Sequence, residues 1–138
     1  MTTFTVSFDP KLPSGGRTSP AKEPDWSRIH AITEGVEYDM TYHVGGQAFG
    51  YYPTDVVGLL VDLIGAKGEL DRGQDGSINM SGYTILLVEV SESSLVFSDP
   101  YPSKWRCKVQ ADVVREALDQ ALRDVWSFVI SLDQPSSA

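Results

Sequence analysis

Between Glu34-Gly35 and Gly45-Gly46 the chain alternates strictly. Val36, Tyr38, Met40, Tyr42 and Val44 are apolar, and Glu37, Asp39, Thr41 and His43 between them are polar. Side chains of a strand point to opposite faces with a period of two, so this stretch is a strand with one buried and one wet face. The glycine pairs on either side are turn chemistry, and Gly45-Gly46 suits a two-residue hairpin loop. Such a strand belongs to an antiparallel sheet. Trp26 to Thr33 and Gln47 to Tyr51 are its expected neighbours, which gives a meander of three strands.

Thr3 to Phe8 alternates in the same way and reads as a half-buried strand. Met1-Thr-Thr-Phe-Thr-Val has no basic region followed by an apolar core, so it does not read as a signal peptide. Asp9 to Asp25 holds four prolines and a Ser-Gly-Gly, too little apolar material for an element, and is expected to be a long exposed loop. Pro53-Thr54-Asp55 opens a helix, with Thr54 as N-cap and Asp55 near the positive end of the dipole. Only Gly58 and Asp62 interrupt the apolar run from Val56 to Ile64, so this helix is expected to be buried on most of its circumference, fraying at Gly65 and Gly68.

After a loop from Glu69 to Gly76, the run Tyr83 to Val90 is the near-continuous apolar strand of a sheet centre. Ser91-Glu92-Ser93 turns it into Leu95-Val96-Phe97, Asp99-Pro100-Tyr101-Pro102 breaks the chain, and Lys104 to Gln110 alternates again. From about Ala111 to Leu132, Val114, Leu118, Ala121, Val125, Phe128 and Leu132 recur at helical spacing, with Asp112 in the first turn. Hairpins imply antiparallel pairing, and the helices must cover an apolar sheet face. The expected fold is α+β, a two-layer sandwich in which two helices cover a mainly antiparallel sheet of about six or seven strands. It forms one domain over residues 1–138, with an exposed loop at 9–25 and a frayed tail at 133–138.

Charge limits the partners. No lysine or arginine lies between Arg28 and Lys67 or between Arg72 and Lys104, while these gaps hold Glu34, Glu37, Asp39, Asp55, Asp62, Asp75, Glu89, Glu92 and Asp99. With a net charge of -8 the chain lacks the clustered cations that displace counterions from nucleic acid, and it is repelled by anionic membrane surfaces. No apolar run approaches the roughly 20 residues of a membrane helix. The single Cys107 cannot form an internal disulfide, which fits a reducing compartment, and the chain reads as cytoplasmic.

Motifs for chemistry are sparse. Asp71-Arg72-Gly73-Gln74-Asp75-Gly76-Ser77-Ile78 has the glycine and the apolar residue of a calcium loop at the right offsets. The third ligand position is Gly73, however, and the twelfth, which should be a bidentate carboxylate, is Gly82, so a plain helix-to-strand turn is the better reading. His30 and His43 have no second ligand at metal spacing, and only strand neighbourhood, with Glu37, could bring them together. Cys107 shares the apolar side of its strand with Trp105 and Val109, as an inert core thiol does. Lys104, Arg106 and Lys108 line the opposite side, solvated or paired across the sheet with Glu89 or Glu92. No nucleophile elbow, phosphate loop or catalytic carboxylate pair is present, so neither an enzyme nor a cofactor is expected.

What remains is a surface. Tyrosine beside acidic loops supplies an amphipathic anchor together with charge that speeds encounter, which selects Tyr52, Asp99 and Tyr101. In size, charge and element pattern the whole chain resembles the immunity proteins of bacterial polymorphic-toxin systems. The resemblance implies a binding protein that occludes the active site of a cognate toxin domain, a basic nuclease or deaminase. Glu37, Asp39, Asp55, Glu92 and Asp99 then act as nucleic-acid mimics, and the free protein is expected to be a monomer. Two alternatives stand beside it. A small-ligand or metal-binding domain needs a formed apolar pocket between helix and sheet, and a subunit of a larger assembly needs an apolar patch left exposed by the helices.

Overall fold

A computed structural model of the chain describes residues 3–11, 29, 33, 36–50, 56–80, 83–100 and 104–132. Among them the elements run β1 (Phe4–Lys11), β2 (Glu37–Val44), β3 (Gln47–Gly50), α1 (Val56–Asp71), β4 (Gly76–Met80), β5 (Tyr83–Ser91), β6 (Ser94–Ser98), β7 (Arg106–Gln110) and α2 (Ala111–Leu132). The fold is α+β. Its strands form two antiparallel sheets, ordered β1-β2-β3 and β4-β5-β6-β7, in place of the single sheet expected.

β2 buries Tyr38, Met40, Tyr42 and Val44 and exposes Glu37 and Asp39, as its alternation requires. Its turn has Gly45 at φ 54° and Gly46 at φ 89°, the pair of left-handed residues that a twisted two-residue hairpin demands. One neighbour is β3, as anticipated. The other is β1, with Phe4 opposite Val44, Val6 opposite Tyr42 and Phe8 opposite Met40. Trp26 to Thr33 does not fill that place. Its described positions, Ile29 and Thr33, are helical; the Thr33 hydroxyl donates to the Ile29 carbonyl one turn back (2.6 Å), and both residues are buried. Four residues apart they share a helical face, a spacing that also puts two residues on one face of a strand, so their burial alone does not distinguish the two. β1 also takes Asp9, Pro10 and Lys11 out of the expected loop, while the rest of that loop and the tail at 133–138 lie outside the described residues.

α1 runs past Gly65 and Gly68 to Asp71. It ends where a left-handed residue permits it: Gly73 has φ 66°, its N–H donates to Leu70 O (3.0 Å), and the Gln74 N–H donates to Glu69 O (3.1 Å). That is a Schellman cap, anchored by buried Leu70. The loop shrinks accordingly, and β4 starts at Gly76. β4 itself was not legible, because a bulge at Ile78/Asn79 breaks its period of two.

The apolar faces of both sheets and the inner faces of both helices share one core. Phe4 stacks on Phe97 (ring centroids 5.2 Å), joining the sheets, Phe49 meets Trp105 (5.1 Å), and Phe8 meets Phe128 edge-on (5.8 Å), holding α2 against β1. α2 buries Val114, Leu118, Ala121, Val125 and Val129, with Phe128 only half-buried, since 3.6 residues per turn carry the stripe from Val125 on to Val129. The helices are antiparallel: Lys67 pairs with Asp119, and Asp71 with Arg115 (3.5 Å). α1 is less buried than its composition suggested. Val56, Leu59, Leu60, Leu63 and Leu70 face the core, but Val61 and Ile64 are 54% and 45% exposed, because nothing among the described residues forms a further layer over that side.

Candidate functional site

The strongest charge feature follows from the alternation of β2. With Tyr38, Met40 and Tyr42 held inside, Glu37 and Asp39 have only the solvent side left. The register sets Thr5 beside His43, Ser7 beside Thr41, Asp9 beside Asp39 and Lys11 beside Glu37. Asp9 and Asp39 are both exposed and stand directly opposite one another. Directly opposed like charges oppose strand pairing, whereas unlike charges there support it by about 0.2–1 kcal/mol. Sequence reading missed Asp9 because two residues of alternation before Pro10 looked like the edge of a loop. The signal that could have found it is the match between Thr3–Phe8 and the β2 pattern, carried two positions further.

The other acids sort into those spent on structure and those facing water. The Val90 N–H donates to Asp75 Oδ1 (2.8 Å), so a carboxylate of the calcium-like stretch caps the end of β5, and the Ser77 N–H donates to Glu69 Oε2 (3.2 Å), so a carboxylate of α1 caps the start of β4. Asp71 and Asp112 hold Arg115, Asp119 holds Lys67, and Asp124 accepts from Gln120 (2.8 Å). Asp62 lies on α1 close enough to buried Tyr42 that its charge, after burial itself, raises the phenol above its ordinary range. Glu89, Glu92 and Glu116 are exposed.

Of the residues selected from sequence, Glu37 and Asp39 therefore share one face. Glu92 sits in the two-residue turn between β5 and β6 with φ 56°, a left-handed conformation that glycine or asparagine adopts more cheaply. Asp99, half-exposed, follows the far end of β6, on the order of 20 Å from Glu92 at about 3.4 Å per residue. Tyr52, Asp55 and Tyr101 lie outside the described residues, as does His30. His43 lies on the outer face of β2, half-buried.

Lys104, Arg106 and Lys108 are all exposed. Lys108 shares a row with Val96 and Glu89 on the outer face of the four-stranded sheet, so two strand spacings, roughly 10 Å, separate the opposite charges. At that distance salt screens most of their attraction. Cys107 faces inward with Trp105 and Val109, and burial pushes its thiol up, away from the reactive thiolate. Among the described residues no three or more His, Cys, Asp or Glu side chains gather as metal ligands.

One cavity lies between α1, α2 and the four-stranded sheet, walled by Leu70, Ile78, Val88, Phe97, Val114 and Leu118, with Glu69 and Gln74 at its margin. Its volume of about 20 Å³ is room for about one water, against the roughly 300–1,000 Å³ of a small-molecule site. No helix among the described residues is long and apolar enough to cross a membrane. Comparison with protein-family models, with characterised proteins and with solved structures finds no match.

Proposed function

We propose that the chain is a binding protein that presents the outer face of its three-stranded sheet to a basic protein partner, and that it acts as an immunity protein, occluding the active site of a cognate toxin domain. The observation that carries this reading is the row of Asp9 and Asp39 beside Glu37. Like charges set opposite one another do not help the strands pair, and a basic partner surface would balance them. Glu92 supports the reading from the other sheet. A left-handed glutamate costs about 1–2 kcal/mol over glycine, and an exposed side chain kept at such a position has use outside the fold. The toxin class follows from charge: a nuclease or deaminase that binds phosphate offers a basic cleft, and carboxylates on a sheet imitate the phosphate row.

The mechanism is steric cover with electrostatic steering. Acids on the sheet raise the association rate, which at low salt reaches the order of 10⁸ M⁻¹s⁻¹ for complementary pairs. A tagged copy is used to capture its partner from native lysate at low and moderate salt. A single basic protein that salt releases, whose toxicity the chain suppresses, is the expected result. With that partner in hand, Glu37→Lys with Asp39→Lys should lower the association rate at least tenfold at low salt and change dissociation little. Unchanged kinetics would mean that the partner docks elsewhere.

A further inference from the structure

The cations of the two helices are matched. Lys67 holds Asp119, Arg115 holds Asp71 and Asp112, Arg72 donates to Gln74 (3.1 Å) and Arg123 donates to Gln120 (3.0 Å). β7 differs. Along it and the two residues before it, exposed side chains alternate with side chains turned toward the core, so Lys104, Arg106 and Lys108 stand on one side about 7 Å apart. Arg106 donates to the Trp105 carbonyl (2.8 Å), whereas Lys104 and Lys108 form no ion pair or side-chain hydrogen bond with any described residue. On the same face β6 offers only Val96 and Ser98 opposite Lys108 and Arg106, and the first carboxylate along the row of Lys108 is Glu89 on β5. A chain of net charge -8 thus keeps one strand positive.

The backbone of that strand is disposed to match. The Ala111 N–H donates to Ser93 O (2.9 Å), and this pair continues the β6–β7 register by one step. Hydrogen-bonded pairs of an antiparallel ladder recur at every second residue, so Val109 and Cys107 turn their N–H and C=O groups toward β6. Those of Lys108 and Gln110 turn the other way, to an edge of the sheet where no described strand pairs with them. Lys108 therefore carries an unmatched cation and offers main-chain groups at the same edge.

An extended peptide satisfies such an edge by adding a strand, and its alternate side chains then stand on the outer face beside those of β7. With cross-strand neighbours about 5 Å apart, the side chains that stabilise this pairing are carboxylates repeating every second residue, as the cations do. We propose that the outer edge of β7 is a docking site for an acidic segment of another protein, bound in extended form with carboxylates at alternate positions beside Lys104 and Lys108. It lies on the other sheet from Asp9, Asp39 and Glu37 and does not depend on the reading given to that row. Charge selects this occupant over two others. A nucleic acid brings phosphates but no main-chain partners for the edge, and the net charge of the chain opposes its approach. A second β7 would set lysine beside lysine, which is how edge strands are kept from pairing with their own kind.

A short fluorescent peptide that alternates glutamate with threonine, titrated with the full chain from about 1 µM to about 1 mM at low salt, tests the proposal. Saturable binding that salt weakens is expected, with slower amide exchange at Lys108 and Gln110, whose N–H groups the added strand takes up. Lys108→Glu, at an exposed position, should lower the affinity about tenfold. Gln110→Pro removes an outward N–H and no charge. Proline is tolerated where a strand N–H faces away from the sheet, so thermal unfolding should stay near that of the parent while affinity falls about fivefold. No binding up to about 1 mM overturns the proposal and leaves the lysines the role of keeping edges apart. Equal binding of a peptide of the same composition with its glutamates in one block overturns it too, as does tighter binding of a single-stranded oligonucleotide. So does an affinity that Lys108→Glu or Gln110→Pro leaves unchanged.

Discussion

Replacing Asp9 with lysine is expected to stabilise the fold, although it alters a residue of a regular strand. Asp9 and Asp39 are Cα partners on β1 and β2, and both side chains point to water. At cross-strand spacing, about 5 Å, two like charges repel by roughly 0.8 kcal/mol in water. A Debye length of about 8 Å at 0.15 M salt cuts that to roughly half. Reversing one sign exchanges repulsion for attraction, so Asp9→Lys should gain about 0.8 kcal/mol at 0.15 M salt and about 1.5 kcal/mol at low salt. Urea titration resolves the difference, and the melting midpoint should rise by about 3–6 °C. Asp9→Asn, which removes the repulsion without adding an attraction, should give about half the gain. Glu116→Lys makes the same change in net charge at an exposed site on α2 and serves as the control. A gain that Glu116→Lys reproduces, or one that does not shrink in high salt, would falsify the claim that the acidic row is held at a cost to the fold.

Further outcomes follow from the core and the turns. Phe97→Ala removes a fully buried ring and its stack on Phe4, and should cost about 3–5 kcal/mol in chemical denaturation. Glu92→Gly relieves a left-handed residue and should raise stability by about 1 kcal/mol; a loss would show that the side chain is held by the fold. Tyr42 stays neutral when folded but ionises near pH 10 when unfolded, so its contribution is complete below pH 10. Above it the unfolded state holds fewer protons, and stability should fall by up to about 1.4 kcal/mol per pH unit, a slope that Tyr42→Phe removes. Asp75→Ala strips the carboxylate from the Val90 N–H at the end of β5 and should cost about 1 kcal/mol, with faster amide exchange at Val90.

The parts of the fold that sequence made legible are those governed by a local period. β2, its glycine hairpin, β5 and α2 each carry a repeat of two or 3.6 residues long enough to outweigh noise. The parts it concealed are settled by contacts between distant segments. Nothing within Trp26–Thr33 announces that Thr33 will return its hydroxyl to Ile29, and nothing within Phe4–Lys11 announces that this strand will claim the edge of β2. The split into two sheets is of the same kind, since seven strands can pair in many orders and the choice rests on packing such as Phe4 against Phe97. α1 misled differently. Its first nine residues, apolar but for Gly58 and Asp62, are those of a helix covered on most of its circumference, and the described residues do not supply that cover over Val61 and Ile64. For the candidate surface, alternation located Glu37 and Asp39 on the outer face of β2, but charge counting alone could not show that Asp75 holds the Val90 N–H or that Asp119 holds Lys67.

The contact between Phe8 and Phe128 joins residues about 120 positions apart, a loop whose closure is among the slowest steps available to a chain of this size. Until α2 has formed and packed back, the apolar face of β1 has no cover, beside a strand edge that no other described strand pairs. Refolding should therefore be sensitive to protein concentration in a way that native stability does not reveal, with yield lost to strand pairing between chains during that interval. Whatever delays the last helix, whether a fused domain, a slow-folding tag or a truncation within 111–132, lengthens the exposure of a strand at the opposite end of the sequence.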